Sequence, residues 1–252
     1  MLTSKKQENP LFKYFRFGLA AIFIFISSAF AVIISLIRWK NPSTNDFVAP
    51  WLGKGVTFIL GIKNIFKNPK MLNQSRPCIY ISNHQSNIDA WTITANHPGR
   101  TITMGKMEII YIPIFGQLFY LLGHILIDRK NRMGSIETLN HVGKELIKQK
   151  MSIWILPEGT RSKGKGLGPF KKGPFHLAIN TGFPIIPVAI SSYHKNLNFN
   201  KINSGTVLFK AIPMIETKGL GHDDIGPLSQ KCRQLILDEI EKLDEEIRLS
   251  GG

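Results

Sequence analysis

The hydrophobic pattern is dominated by one run, Phe17 to Ile37, 21 residues without a charge. At about 1.5 Å per residue a helix of that length reaches ~31 Å, enough to cross a bilayer core of about 30 Å. The run is longer than a signal-peptide core, and no A-x-A-like site precedes Arg38 and Lys40, so a cleaved leader fits less well. A second segment, Trp51 to Phe66, places Val56, Ile59, Leu60, Ile62 and Phe66 at helical spacings, with Lys54, Lys63 and Lys67 at its edges. It reads as an amphipathic helix with a basic polar side. Asn41-Pro42-Ser43-Thr44-Asn45 predicts a turn between the two. Bases flank both ends of the long run, which suits a hairpin whose ends return to one membrane surface. Residues 1–70 are expected to form a helical hairpin anchored in one leaflet. A single transmembrane span is the competing arrangement.

From about residue 71 onward, short apolar runs alternate with helical patterns. Expected strands are Cys78–Ser82, Thr101–Met104, Ile125–Ile127, Ile153–Leu156, Ile185–Ile190 and Thr206–Ala211. Expected helices are Gly134–Lys150, with Ile136, Leu139, Val142, Leu146 and Ile147 on one face, and Pro227–Leu249, with Leu228, Cys232, Leu235, Ile236, Ile240, Leu243 and Ile247. This alternation predicts an α/β sheet covered by helices, with active residues in loops at strand ends.

Composition sets limits without choosing a function. The 252 residues are 43% hydrophobic, enough for a real core, and suit one α/β domain with extra elements. Two cysteines, Cys78 and Cys232, lie far apart, so a disulfide scaffold and a cysteine zinc site are excluded. HExxH and G-x-S-x-G are absent, and nothing in the sequence asks for a metal or cofactor. Charge is lopsided: 32 Lys+Arg against 17 Asp+Glu gives +15. An anionic partner follows: nucleic acid, anionic membrane lipid, a phosphorylated substrate or an acidic protein. Residues 229–252 hold six acids and four bases, so the rest of the chain carries +17. The bases gather around the apolar run (Lys5, Lys6, Lys13, Arg16, Arg38, Lys40) and in Arg161, Lys163, Lys165, Lys171 and Lys172.

Candidate chemistry sits at the ends of the expected strands. Asn83-His84-Gln85-Ser86-Asn87-Ile88-Asp89 follows the first. A turn of that length brings the Asp89 carboxylate to one imidazole nitrogen of His84, leaving the other to take a proton from an alcohol. The bland alternative is a helix-capping Asp beside an unrelated His. Asp128-Arg129 follows a later strand, and Arg129 is suited to a phosphate or to an ion pair. Leu156-Pro157-Glu158-Gly159-Thr160-Arg161-Ser162 opens a basic glycine-rich stretch suited to a phosphate monoester. GTRSKGK there imitates a P-loop, but Gly166 stands where Ser or Thr would hold Mg²⁺. Phe183-Pro184-Ile185-Ile186-Pro187-Val188 reads only as a buried strand. His97, His124, His141, His176, His194 and His222 have no paired partner in sequence and read as structural or exposed.

Taken in this order and spacing, the motifs resemble the glycerolipid acyltransferase family, over Ile79 to Val188. Asn83-His84-Gln85-Ser86 with Asp89 is similar to its first block, Ile127-Asp128-Arg129 to the second, Pro157–Ser162 to the third and Ile186-Pro187-Val188 to the fourth. Leu126 and Leu156 stand where Phe is common, and Lys106 matches a lysine associated with the substrate phosphate. The resemblance implies a mixed α/β sheet flanked by helices behind a membrane-embedded hairpin. It implies acyl transfer from acyl-CoA or acyl-acyl carrier protein to the sn-2 hydroxyl of lysophosphatidic acid, giving phosphatidic acid. Other lysophospholipids or glycerol 3-phosphate are alternative acceptors. His84 is then the general base and Asp89 orients it. Lys106, Arg129 and Arg161 take the acceptor phosphate, with Glu158, Gly159 and Thr160 shaping the same loop. Anionic membrane lipids are expected partners, at the cytoplasmic face of a bacterial inner membrane. A nucleic-acid binder would account for the charge but not for the apolar run, and no RRM, KH or zinc-finger signature is present.

Overall fold

The computed structural model describes residues 10–39, 41, 43–72, 77–128 and 132–250. Seven strands form one sheet: β1 (Ile62–Phe66), β2 (Ile79–Ser82), β3 (Thr101–Lys106), β4 (Ile125–Ile127), β5 (Ser152–Ile155), β6 (Ile185–Ile190) and β7 (Gly205–Ala211). Their order is β1-β7-β6-β2-β5-β3-β4. Every pairing is parallel except β6 with β7, so the sheet is mixed. The helices are α1 (Pro10–Ile37), α2 (Ser43–Ile59), α3 (Asp89–Ala95), α4 (Phe115–Leu121), α5 (Arg132–Gln149), α6 (Gly173–Thr181), α7 (Tyr193–Asn196) and α8 (Ile225–Leu249).

The central strands read as continuous apolar runs because both of their faces are covered. Ile79, Ile81, Ile153, Ile155 and Ile185 pack with Val142 and Leu146 of α5, Phe175 and Leu177 of α6, and Leu228, Cys232, Ile236, Leu243 and Ile247 of α8. Ile147, expected on the core face of α5, is exposed instead. On the opposite face Tyr80, Trp154, Ile186, Val188, Val207 and Phe209 pack with Ala20 of α1, Val56 of α2 and Ile93 of α3. The alternation along each strand thus assigns its odd and even residues to two separate cores.

The amphipathic helix expected over Trp51–Phe66 needs correction. α2 starts earlier, at Ser43, and ends at Ile59; residues 62–66 are the edge strand β1. The chain reverses at Gly61, whose φ of +63° is the left-handed conformation that glycine adopts without strain. Arg16 of α1 fixes this corner, donating to the carbonyls of Ile59 (2.7 Å) and Lys201 (2.6 Å) and to Ser204 Oγ (3.1 Å). Of the expected Asn41–Asn45 turn, Ser43, Thr44 and Asn45 are helical, and Pro42 lies outside the described residues. Segment 1–70 therefore supplies both a strand and a helical layer to the sheet.

α1 has two unlike sides. Arg16, Ala20, Ser27, Ser28, Ala31 and Ser35 are buried, while Ile22, Phe25, Ile26, Phe30, Ile33 and Leu36 are exposed. The small inner residues let α1 approach α2 and α4 closely, where Ala31 meets Val48, Leu52, Leu118 and Leu122. Residues Leu11–Ile37 form one helix long and apolar enough to cross a membrane.

Candidate active site

The site grows from the C-terminal end of β2. Asn83 extends the β2–β6 ladder with its side chain: its Nδ2 donates to Ile190 O and its Oδ1 accepts from Ile190 N, both at 2.9 Å. Gln85 does the same one step later. Its Nε2 donates to Ser191 O and its Oε1 accepts from Tyr193 N, again at 2.9 Å. His84 lies between these two clamps. Its carbonyl accepts Ser162 N (2.8 Å), and that of Gln85 accepts Lys163 N (3.1 Å). The loop after β2 is thus sewn to β6 on one side and to the loop after β5 on the other.

His84 Nδ1 stands 2.6 Å from Asp89 Oδ2. The same oxygen accepts the backbone N–H groups of Gln85 (2.7 Å) and Ser86 (2.8 Å). Asp89 is the first residue of α3 and is fully buried. Three donors hold one carboxylate oxygen, so the side chain has little freedom to leave the imidazole. A carboxylate only accepts, which places the imidazole proton on Nδ1 and the lone pair on Nε2. His84 remains partly open to solvent. Behind Asp89 the buried Tyr193 hydroxyl bonds Thr92 Oγ1 at 2.7 Å. Burial and then the Asp89 charge hold that phenol well above its usual range.

Glu158 braces the loops rather than facing out. Oε1 accepts the backbone N–H of His84 itself (2.6 Å), and Oε2 accepts that of Gly168 (2.8 Å). Burial raises its carboxyl above the ordinary value, while these two N–H bonds pull the other way. Gly159 turns the chain at φ +66° and has the Lys171 side chain lying close above it. Thr160 and Arg161 are exposed, and Arg161 has no acidic partner among the described residues. Lys106 is exposed at the end of β3, in register with Ile127 of β4. It therefore sits beside the strand that leads into Asp128. Arg129 lies outside the described residues, as do Lys5, Lys6 and Lys40.

His84, Lys106 and Arg161 thus leave three parallel strands at the same edge of the sheet. The arrangement offers one free imidazole nitrogen with its proton partner fixed, and exposed cations at the same end of the sheet. That combination can deprotonate an alcohol whose own molecule carries an anion. Among the described residues no group of three or more His, Cys, Asp or Glu side chains is gathered as metal ligands. Tyr193 and Thr92 carry no motif, and no sequence signal would have found them. The roles of Asn83 and Gln85 were hidden for a different reason: their partners lie about a hundred residues away.

The acyltransferase family model matches residues 63–191. The chain is 38% identical over 237 residues to a 1-acyl-sn-glycerol-3-phosphate acyltransferase of Haemophilus influenzae, covering 94% of this chain and 98% of the relative. It is 36% identical to the enzyme of that name from Escherichia coli, covering 92% and 95%. It is 30% identical to human 1-acyl-sn-glycerol-3-phosphate acyltransferase beta, covering 88% and 81%. The crystal structure of the 1-acyl-sn-glycerophosphate (LPA) acyltransferase from Thermotoga maritima superposes with a TM-score of 0.75 at 21% identity, covering 93% of this chain and 95% of that one. It shares the fold.

Proposed function

The chain belongs to the acyltransferase family, and from that premise we infer that it transfers a fatty acyl group to the sn-2 hydroxyl of lysophosphatidic acid, giving phosphatidic acid. The observation that carries the chemistry is the 2.6 Å contact between His84 and the buried Asp89. The acceptor hydroxyl gives its proton to His84 Nε2 as its oxygen attacks the thioester carbonyl carbon. Asp89 stabilises the imidazolium that forms. The tetrahedral intermediate collapses, the C–S bond breaks, and the thiol leaves with the proton from His84. The alcohol attacks the thioester directly, so no covalent acyl-enzyme is needed, and the thiol, far more acidic than an alcohol, needs little help to leave. The donor is acyl-CoA or acyl-acyl carrier protein. Lys106, Arg129 and Arg161 hold the acceptor phosphate, and Glu158, Gly159 and Thr160 shape the loop that presents Arg161.

Residues 1–70 anchor the protein in one leaflet through α1 and α2, while β1 near their end joins the sheet of the catalytic domain, residues 71–252. Two observations support this over a single span. α1 is docked on α2 and α4 through its small inner face, and Arg16 ties its N-terminal part to the end of α2 and to the loop before β7. A helix crossing the bilayer alone would have to give up those bonds in hydrocarbon. The large apolar side chains then face lipid on the outer side, and we assign the catalytic domain to the cytoplasmic face of a bacterial inner membrane.

One assay tests the activity. Purified protein receives one acyl thioester and a panel of acceptors, and the product is identified by mass spectrometry. Phosphatidic acid formed from lysophosphatidic acid is the expected result. Ester formation only on another acceptor would overturn the substrate assignment, and a burst of free thiol without acceptor would overturn the direct attack.

A further inference from the structure

We propose that the segment Met107–Pro113, together with Tyr120 of α4, is a second lipid contact of this protein, outside the helical hairpin, seated next to the acceptor-phosphate site. The proposal rests on the reading of the acceptor as a membrane lipid. The segment is a short 3₁₀ helix, Met107–Tyr111, leading to Ile112-Pro113. Its outward side is mostly apolar, with Glu108 also exposed: Tyr111 is 78% exposed, Ile112 47% and Met107 39%. Tyr120 is 66% exposed. Glu108 is the only charged residue between Met107 and Phe115. Tyr and Met beside Ile are side chains that settle at the boundary between headgroups and hydrocarbon.

The segment is held rigidly. Gly105 leaves room for the Ile109 side chain and the Phe119 ring directly on the β3 backbone, where a Cβ would stand 2.6 Å from Ile109 Cδ1. The first turn of α4 rests on the carbonyls of Ile109 and Ile110 at Gly116. α4 in turn packs against α1 through Leu118 and Leu122. The apolar exterior therefore passes from α1 across α4 to this segment and ends at Lys106. Continuity with the lipid-facing side of α1 is what commits the occupant to a bilayer. Lys106 then stands at headgroup height, so an acceptor need not leave the membrane to reach His84.

The test uses the full chain with a Tyr111→Cys substitution carrying a bimane label. Cys78 and Cys232 are both buried, so the label reports position 111. Lys218→Cys, exposed in the loop between β7 and α8, is the control. In anionic vesicles containing doxyl-quencher lipids, strong quenching at position 111 and little at 218 is expected. Equal quenching at both positions overturns the proposal. So does a label that responds to protein concentration and not to lipid, which would mark a contact with a second copy. A Tyr111→Ser/Ile112→Ser variant adds an activity readout. Transfer to vesicle-borne lysophosphatidic acid should fall about tenfold, while transfer to a short-chain acceptor dissolved as monomer changes less than about twofold. Equal losses on both acceptors would overturn the proposal too. Should the unaltered protein make no phosphatidic acid, the functional reading fails while the quenching result still decides the lipid contact.

Discussion

The loop after β2 and the packing between α1 and α2 both bury polar atoms, and they treat them in opposite ways. In the loop, Asn83 and Gln85 each satisfy a donor and an acceptor on distant backbone, and one oxygen of Asp89 gathers three donors while only its other oxygen, Oδ1, is buried without a hydrogen bond among the described residues. In the helical layer, the hydroxyls of Ser28, Ser35 and Thr44 are buried with no partner among the described residues. There the large apolar side chains point outward instead. Directional bonds specify the loop, because a base displaced by an ångström no longer reaches its proton. Shape and the surrounding solvent specify the helices, where small residues matter for how closely they let backbones approach.

The contrast is broken most severely at its catalytic end. His84→Ala should lower acyl transfer by about 10³-fold, the usual worth of a positioned general base, with the circular dichroism spectrum unchanged. Near-normal activity in the folded variant would remove His84 from the mechanism. Arg161→Ala should act on a different parameter. It removes the proposed charge-assisted phosphate contact, so KM for the acceptor should rise about 10- to 100-fold with kcat nearly preserved. A fall in kcat with KM intact would place Arg161 at the reacting carbonyl rather than at the phosphate.

The next pair sets the two regions directly against each other. Asn83→Ala strands two backbone groups of Ile190, and should cost roughly 2–4 kcal/mol on chemical denaturation. Ser28→Ala removes a buried hydroxyl that has no described partner, so the helical layer should be unharmed or stabilised by up to about 1 kcal/mol. If both substitutions cost the same, the hydroxyl has a partner after all and the contrast dissolves. Ile22→Ser with Ile26→Ser alters the outward side, and should weaken vesicle binding about tenfold or more while sparing transfer to a soluble acceptor.

These differences also explain what the amino-acid sequence made legible. The expected strands were readable because β2, β5 and β6 are buried on both faces and all are bounded by turns, so their limits shift by only one or two residues. β1 was missed because Ile62, Ile65 and Phe66 continue the helical spacing of α2; the break depends on Gly61 and on Arg16, about forty-five residues upstream. The His84–Asp89 pair was legible because five residues span a single turn. Glu158 was placed in the right loop, but its partner, the N–H of His84, is fixed by tertiary pairing that no local pattern encodes. Arg129 was noted at a strand end as suited to a phosphate or an ion pair, was assigned to the acceptor phosphate by resemblance, and lies outside the described residues.

The smallest effect is expected at the acidic C-terminal helix, which braces the site from outside. Asp244 of α8 accepts Ser192 N (2.7 Å) and Lys195 Nζ (3.0 Å). It thereby fixes the start of α7, whose first residue, Tyr193, bonds Gln85. Burial alone would raise the Asp244 carboxyl, but the bonds from Ser192 and Lys195 prevail and hold it below the ordinary carboxylate value. A carboxyl depressed in the folded state binds fewer protons there than in the unfolded chain. Its contribution is therefore fully present above the unfolded pKa, near pH 4, and is lost as pH falls through the lower folded value. Asp244→Asn should thus cost about 1 kcal/mol at pH 7, with the gap to the unaltered protein closing in denaturant titrations taken toward pH 3. A gap independent of pH would mean that the shape of the side chain, not its charge, holds α7 in place. Transfer rates should change little in either case, since Asp244 reaches His84 only through Tyr193 and Gln85, and the second clamp at Asn83 holds the loop independently.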